Sequence, residues 1–237
     1  MLDLLGGVVL TASLVACLGI LLGAAPLRPW ARLWAACAAG TWAAAMIAAA
    51  ALGAFAPGAI PGVGLAAFAT MGLVAVAWVS LPAFRGALLA LPVPLLVSLH
   101  AARLLGGLFL LLEAEGRLSQ PFAFDAGWGD IAVAAAALPV ASLAHRRAAG
   151  WRPIVLAWNA LGAADLVMAL ALGLASAPGS AFRVFLAEPG TRVMGALPWS
   201  MVPSLLVPFF MLTHVLIALR LRRGERGAAV QGLGAGA

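Results

Sequence analysis

Residues 92–112 read PVPLLVSLHAARLLGGLFLLL, and this stretch decides the fold. A helix needs about 20 mostly apolar residues to cross the hydrocarbon core of a bilayer, so the stretch is long enough to span one. Proline suits a first helical turn, which predicts a helix that begins at Pro92. The stretch also contains His100 and Arg103. A charged side chain in a bilayer is costly, so these two residues predict a helix bundle whose interior supplies partners for them.

Six further stretches have the same apolar character. The chain is 65% hydrophobic and 9% charged, whereas a soluble domain carries roughly 25% charged residues. The sequence therefore predicts an all-α integral membrane protein, a bundle of about seven transmembrane helices. Residues 1–223 would form a single transmembrane helical domain, and the Gly/Ala-rich residues 224–237 a disordered cytoplasmic tail. The other predicted spans are Leu4–Ala25, Arg32–Ala56, Val63–Leu81, Gly127–Ala144, Pro153–Ala175 and Leu197–Leu221, with Pro82–Leu91 as an interfacial segment.

The arginine residues predict the orientation of the bundle. All 14 basic residues are Arg, and ten of them lie in the first, third and fifth loops and the tail. Three lie in the other loops, and Arg103 lies inside a span. Cytoplasmic loops carry the excess of positive charge, so we expect the N-terminus outside and the C-terminus inside. The basic charge is then explained by anionic lipid headgroups, and no nucleic-acid partner is predicted.

Polar side chains inside the predicted spans mark a candidate intramembrane polar centre. Counting about 1.5 Å per residue along each helix places Arg103 and Asp165 in one layer, with a second layer nearer the cytoplasm. Arg103 and Asp165 are either a structural ion pair or a gate or proton relay, or they do not meet. The candidate residues are His100, Arg103, Trp158, Asn159, Asp165 and His214.

The second layer contains His100, Asn159 and His214. The two histidines are either hydrogen-bonded links between helices or the axial ligands of one haem b, since imidazole is a usual haem ligand. Asn159 either forms interhelical hydrogen bonds or faces a substrate. Three prolines in the last span, at 198, 203 and 208, indicate a static bend or a hinge, because proline frees a backbone carbonyl.

Half of the eight carboxylates lie near the predicted outer side. They are either a solvated face or an outer vestibule that attracts cations. These residues are Glu113, Glu115, Asp125 and Asp130.

Several chemistries lack their residues. No His, Cys and carboxylate spacing typical of zinc occurs, so no metal site is predicted. The absence of lysine excludes a retinal Schiff base, and the common hydrolase and phosphate-binding motifs are missing. An enzyme is therefore the lesser expectation, although an intramembrane enzyme with His100, His214 and Asp165 as acid–base groups stays open. No cofactor is predicted apart from the haem alternative.

Three stretches carry a resemblance to known proteins. They are residues 103–112, residues 118–130 (LSQPFAFDAGWGD) and residues 158–165 (WNALGAAD). Together they resemble a group of multi-pass bacterial membrane proteins that has no established activity. The resemblance implies a bacterial inner-membrane protein and supplies no mechanism.

Three functions fit these observations. The preferred hypothesis is a small transporter or permease-like protein for a small solute or ion, which predicts a water-accessible cavity reaching Asp165. A haem- or quinone-binding redox protein predicts His100 and His214 facing one apolar slot. A structural or accessory subunit predicts a dry, closed centre. The sequence indicates neither the substrate nor the oligomeric state.

Overall fold

Proline and glycine set where the helices begin and end. The computed structural model describes residues 1–58 and 62–234 and has eight helices over that part of the chain. Pro29 and Pro82 each lie in a first helical turn, where the missing N–H is not needed. Gly150, with φ of +72°, precedes another helix. The helices are α1 (Leu2–Ala24), α2 (Pro29–Ala51), α3 (Gly62–Ser80), α4 (Pro82–Ala90), α5 (Val93–Ala114), α6 (Phe122–His145), α7 (Trp151–Ala175) and α8 (Val207–Gly234).

Seven of these helices are long and apolar enough to cross a membrane, which confirms the predicted number of spans. The exception is α4, which has nine residues, and its position at the membrane surface stays a prediction. The predicted disorder of residues 224–237 also stays a prediction. Helix α8 extends to Gly234, and residues 235–237 lie outside the described residues.

Helices α5 and α8 are the most buried of the seven spans, and α2 is the least buried. Helix α5 packs mainly against α6, which in turn packs against α7, while α8 contacts α5 and α7. Leu96, Leu112 and Ile217 are fully buried in the apolar core. The polar residues on α5 to α8 therefore share the interior of the bundle.

A small polar cluster lies at one end of the bundle, which we call the Asp3 end. The carboxylate of Asp3 accepts a hydrogen bond from the indole N–H of Trp199 at 2.7 Å. It also pairs with Arg117 at 2.7 Å. These contacts bring together the beginning of α1, the loop after α5 and the segment before α8.

Two spans depart from regular α-helical geometry inside the bundle. Helix α5 tightens into a 3₁₀-helix over Leu99–Gly106, and a π-helical turn over Val202–Leu206 leads into α8. Side chains three residues apart eclipse one another in a 3₁₀-helix. His100 and Arg103 consequently point to the same side of α5, and both are buried.

A hydroxyl from α3 meets a backbone carbonyl that proline leaves free. Pro208 has no N–H to donate to the carbonyl of Ser204, four residues earlier. The Thr70 hydroxyl lies 2.8 Å from that carbonyl and 2.9 Å from the carbonyl of Ala66 in its own helix, and the indole N–H of Trp42 donates to the Thr70 oxygen at 2.8 Å. Helices α2 and α3 are thereby attached to the irregular part of the last span.

Replacing Thr70 tests this three-helix contact. Thr70→Val keeps the shape of the side chain but leaves the Ser204 carbonyl and the Trp42 N–H without a partner. We expect the free energy of unfolding in detergent to fall by about 1–3 kcal/mol, the cost of buried unpaired groups. Thr41→Val on the exposed face of α2 is the matched control. Equal effects of the two variants would contradict the role of the hydroxyl.

Candidate functional site

The guanidinium of Arg103 is the centre of the candidate site, and its side chain is 1% exposed. Its Nε donates to Oδ1 of Asp130 at 2.6 Å, and its Nη2 donates to Oδ2 of Asp165. Its Nη1 donates to the carbonyl of Gly162 at 3.0 Å and lies 3.3 Å from Nε2 of His214. All three nitrogen atoms therefore have partners, and these come from α6, α7 and α8.

The ion-paired groups carry one excess negative charge when both carboxylates are ionised. Arg103 supplies one positive charge, and Asp130 and Asp165 supply two negative charges. An uncompensated charge away from water is costly. The centre is therefore suited to take up a proton or another cation.

Glycines make room for the polar groups where the helices cross. A Cβ atom on any of three glycines would overlap with a side chain of the centre. Helices can approach closely in membranes at such small residues. The three pairs are Gly106 with Asp130, Gly129 with Asp165, and Gly162 with His214.

The neighbours of His214 define its protonation. The guanidinium of Arg103 only donates, so Nε2 of His214 accepts. Nδ1 then carries the hydrogen and donates to Oδ1 of Asn159 at 2.9 Å. The Asn159 side-chain amide returns a bond to the backbone carbonyl of His214 at 3.2 Å. This arrangement holds His214 as a neutral imidazole.

His100 is bonded to the last span through Thr213. The Thr213 hydroxyl donates to the carbonyl of Phe210 at 2.8 Å, which uses its single hydrogen. Nε2 of His100 is therefore the donor to the Thr213 oxygen at 2.9 Å. Among the described residues, no group lies within hydrogen-bond distance of Nδ1 of His100. Nδ1 of His100 is consequently an unpaired hydrogen-bond acceptor in the interior of the bundle.

The two histidine rings do not fit a shared haem. Their centroids are 4.1 Å apart, and each ring also packs near Trp158. The Nε2 atoms already bond to Thr213 and Arg103. No porphyrin plane fits between rings in direct contact, so the geometry matches the alternative of hydrogen-bonded interhelical histidines.

A cavity reaches the centre from one end of the bundle. Its volume is about 80 Å³, it is open at one side, and Asp130 lies in its wall. Pro178, Thr191 and Gly195 of the segment after α7 also line it. That segment bonds to the loop after α5 through Ser119 and the N–H of Gly190 at 2.9 Å, so this part of the wall lies near the Asp3 end. The remaining wall is mostly apolar.

A smaller cavity adjoins the first one on the side of Arg103. Both cavities share Asp130, Phe109 and Val207, and the smaller one is also lined by Ala102 and Arg103. The sequence predicted a cavity that reaches Asp165. The space is instead lined by Asp130, the second carboxylate bound to Arg103.

The position of Asp130 corrects the sequence analysis, which grouped it with the outer acidic residues. Helix α6 begins at Phe122, five residues before the predicted start at Gly127. Asp130 therefore lies roughly 12 Å along the helix, at about 1.5 Å per residue. Pro121, directly before the helix, was the overlooked signal, since proline marks helix starts.

The other three outer carboxylates have separate surroundings. Glu113 accepts a hydrogen bond from the side chain of Gln120 at 3.2 Å, and Glu115 pairs with Arg117 at 3.3 Å. Asp125 lies on the exposed face of α6. They line neither cavity, and the vestibule they were predicted to form stays a prediction.

The six residues predicted for the polar centre lie in one network of contacts. With Asp130 they form what we call the polar centre. Thr213 and the three glycines were missed, because a hydroxyl or a glycine in an apolar helix has no distinct sequence signal. The polar centre comprises His100, Arg103, Asp130, Trp158, Asn159, Asp165 and His214.

The glycine notches are testable by single alanines. Gly106→Ala would make two Cβ atoms overlap, the new one and that of Asp130, so α5 and α6 would have to move apart; overpacking of this kind costs about 1–3 kcal/mol. Gly72→Ala in α3 is the control, because nothing lies within 4 Å of its Cβ position. We expect the melting temperature in detergent, measured by circular dichroism, to fall for Gly106→Ala and not for Gly72→Ala. A lower melting temperature in both variants would contradict this interpretation.

The charge balance predicts an asymmetry between Arg103 and its partners. Arg103→Gln leaves two partly buried carboxylates, 16% and 18% exposed, without a cation, a change that costs up to about 3–5 kcal/mol when a pair is fully buried. Asp165→Asn leaves one arginine with one carboxylate and keeps an oxygen to accept the bond. We expect Arg103→Gln to unfold at a much lower denaturant concentration than the wild type. The unfolding midpoint of Asp165→Asn should stay close to that of the wild type. Similar losses would show that the excess negative charge has no effect on stability.

One family of proteins matches the part of the chain that contains the polar centre. A family model described as a domain of unknown function (DUF8737) matches residues 60–222. The match contains every residue of the polar centre. No curated protein and no solved structure matches the chain.

Proposed function

The chain belongs to the DUF8737 family, whose description assigns no activity, and we propose that it is a small permease-like transporter for a small solute or ion. One observation carries the proposal. An open cavity, whose wall includes segments near the Asp3 end, reaches Asp130, a carboxylate bound to the buried guanidinium of Arg103. Ionisable groups inside a membrane commonly mark a substrate or ion pathway.

We place the protein in a bacterial cytoplasmic membrane, with the Asp3 end outside and the C-terminus in the cytoplasm. The distribution of the arginines supports this orientation, because ten of the 14 lie at the opposite end or in the tail. The cavity would then open to the outside.

The partners of Arg103 offer a way to couple binding to movement. Asp130 lines the cavity, and Asp165 lies outside it. A cation that binds Asp130 weakens its bond to Arg103 and leaves the guanidinium to Asp165. The 3₁₀ segment Leu99–Gly106 and the π-helical turn Val202–Leu206 flank this point, and irregular helical turns of this kind are frequent at hinges and binding sites.

The rival functions have less support. A redox protein that binds haem between His100 and His214 conflicts with their ring contact. A structural or accessory subunit accounts for Arg103, whose three nitrogen atoms all have partners, but leaves the cavity unexplained. The next experiment separates this last alternative from transport.

Single cysteines in a Cys17→Ala, Cys37→Ala background test whether water enters the cavity. Ala169→Cys lies in the cavity wall, and Met168→Cys lies on the exposed face of the same helix. A thiol must ionise to react with a charged, membrane-impermeant methanethiosulfonate. We expect the cysteine at 169 to react at least tenfold faster than that at 168 in intact cells. Equal rates would remove the support for a transporter.

The same assay on both faces of the membrane tests for alternating access. Ala102→Cys lies beside Arg103 in the smaller cavity. We expect this cysteine to be labelled from outside in intact cells and from the cytoplasmic face in inverted vesicles. Labelling from one face only identifies a static protein and contradicts the proposal.

A further inference from the structure

We propose that the large cavity binds a small organic cation, an ammonium group that carries an apolar or aromatic substituent. This inference rests on the proposed function and names its class of substrate. It follows from the wall of the cavity, the free side of Asp130 and the charge balance of the polar centre.

The wall of the cavity suits a hydrocarbon body. Phe55, Phe109 and Phe122 line it together with aliphatic residues such as Leu170 and Val207. Burying apolar surface against such a wall is favourable by about 25 cal/mol per Å². Aromatic rings also attract cations to their faces. A small inorganic ion would leave most of this wall unused.

The carboxylate of Asp130 supplies the charged end of the site. Its Oδ1 accepts the bond from Arg103, and Oδ2 has no hydrogen-bond partner among the described residues. The side chain is 16% exposed and lines the cavity. An ammonium group at Oδ2 would also compensate the excess negative charge that Asp130 and Asp165 create around Arg103.

The same centre disfavours an anionic ligand. The three nitrogens of Arg103 are already bonded to Asp130, Asp165 and Gly162, so few donors remain for an anion. Arg192 also lines the cavity, but its side chain is 59% exposed, and Glu188 lies 3.9 Å from it and 2.8 Å from Arg183, so the charge at the inner end of the cavity is that of Asp130. Charge therefore selects a cation, and the apolar wall selects its substituent.

Two probes of the same shape and different charge test this inference. Benzyltrimethylammonium and 2,2-dimethylpropylbenzene differ in one central atom, a positive nitrogen or a neutral carbon. Calorimetry on the full chain in nanodiscs, with empty nanodiscs as the blank, measures both affinities. We expect the cation to bind at least tenfold more tightly to the wild type. Asp130→Asn should remove this preference, whereas Glu115→Gln, at an exposed carboxylate that lines neither cavity, should keep it.

Equal affinities of the two probes in the wild type would overturn the inference. A preference for the cation that survives in Asp130→Asn would also overturn it. If Asp130→Asn binds neither probe, the inference is tested in a variant that retains Asp130, by measuring how far each probe protects a cavity thiol from labelling. There the cation must slow labelling of the Ala169→Cys variant more than the neutral probe does, and equal protection overturns the inference.

The outcomes separate this inference from the proposed function. A cavity that admits the thiol reagent but shows no preference for the cation leaves a transporter with another class of substrate. A cavity that admits no reagent removes both proposals.

Discussion

The burial of one guanidinium constrains the rest of the structure. Arg103 lies inside an apolar bundle, where each unpaired N–H would cost free energy that lipid cannot return. Its donors are satisfied only if α6, α7 and α8 bring Asp130, Asp165, the carbonyl of Gly162 and His214 to within bonding distance. The crossing points of these helices are set by that requirement, and glycines at the crossings allow it.

The irregular backbone of the two most buried spans also helps to pair the buried polar groups. A 3₁₀ segment aligns His100 and Arg103 on one side of α5, which a regular α-helix achieves less closely. The π-helical turn before α8 and the freed carbonyl of Ser204 leave the last span attached to α3 through Thr70. Both departures lie next to the cavities, so the backbone that lines the space differs from the backbone that faces lipid.

Much of the architecture follows from the printed residues. The lengths of the apolar stretches required seven spans, since each has to match the thickness of a bilayer. Counting the rise per residue placed Arg103 level with Asp165, and the structure joins them by an ion pair. The same count placed Asn159 near His214, which are hydrogen-bonded. Asp130 was wrongly grouped with the outer carboxylates because its depth depends on where α6 begins, and an apolar pattern locates a helix end poorly.

The sequence by itself determined that this chain has seven segments long and apolar enough to cross a membrane, and which polar residues have to avoid lipid. Hydrophobic length and the cost of buried charge are properties of each segment alone, so no neighbour is needed to read them. Only the tertiary structure decided that Arg103 has two carboxylates and that Asp130 lines the open space. It also decided that the rings of His100 and His214 touch. These facts depend on the rotation and crossing of helices about one another, which arise from packing between segments distant in the chain.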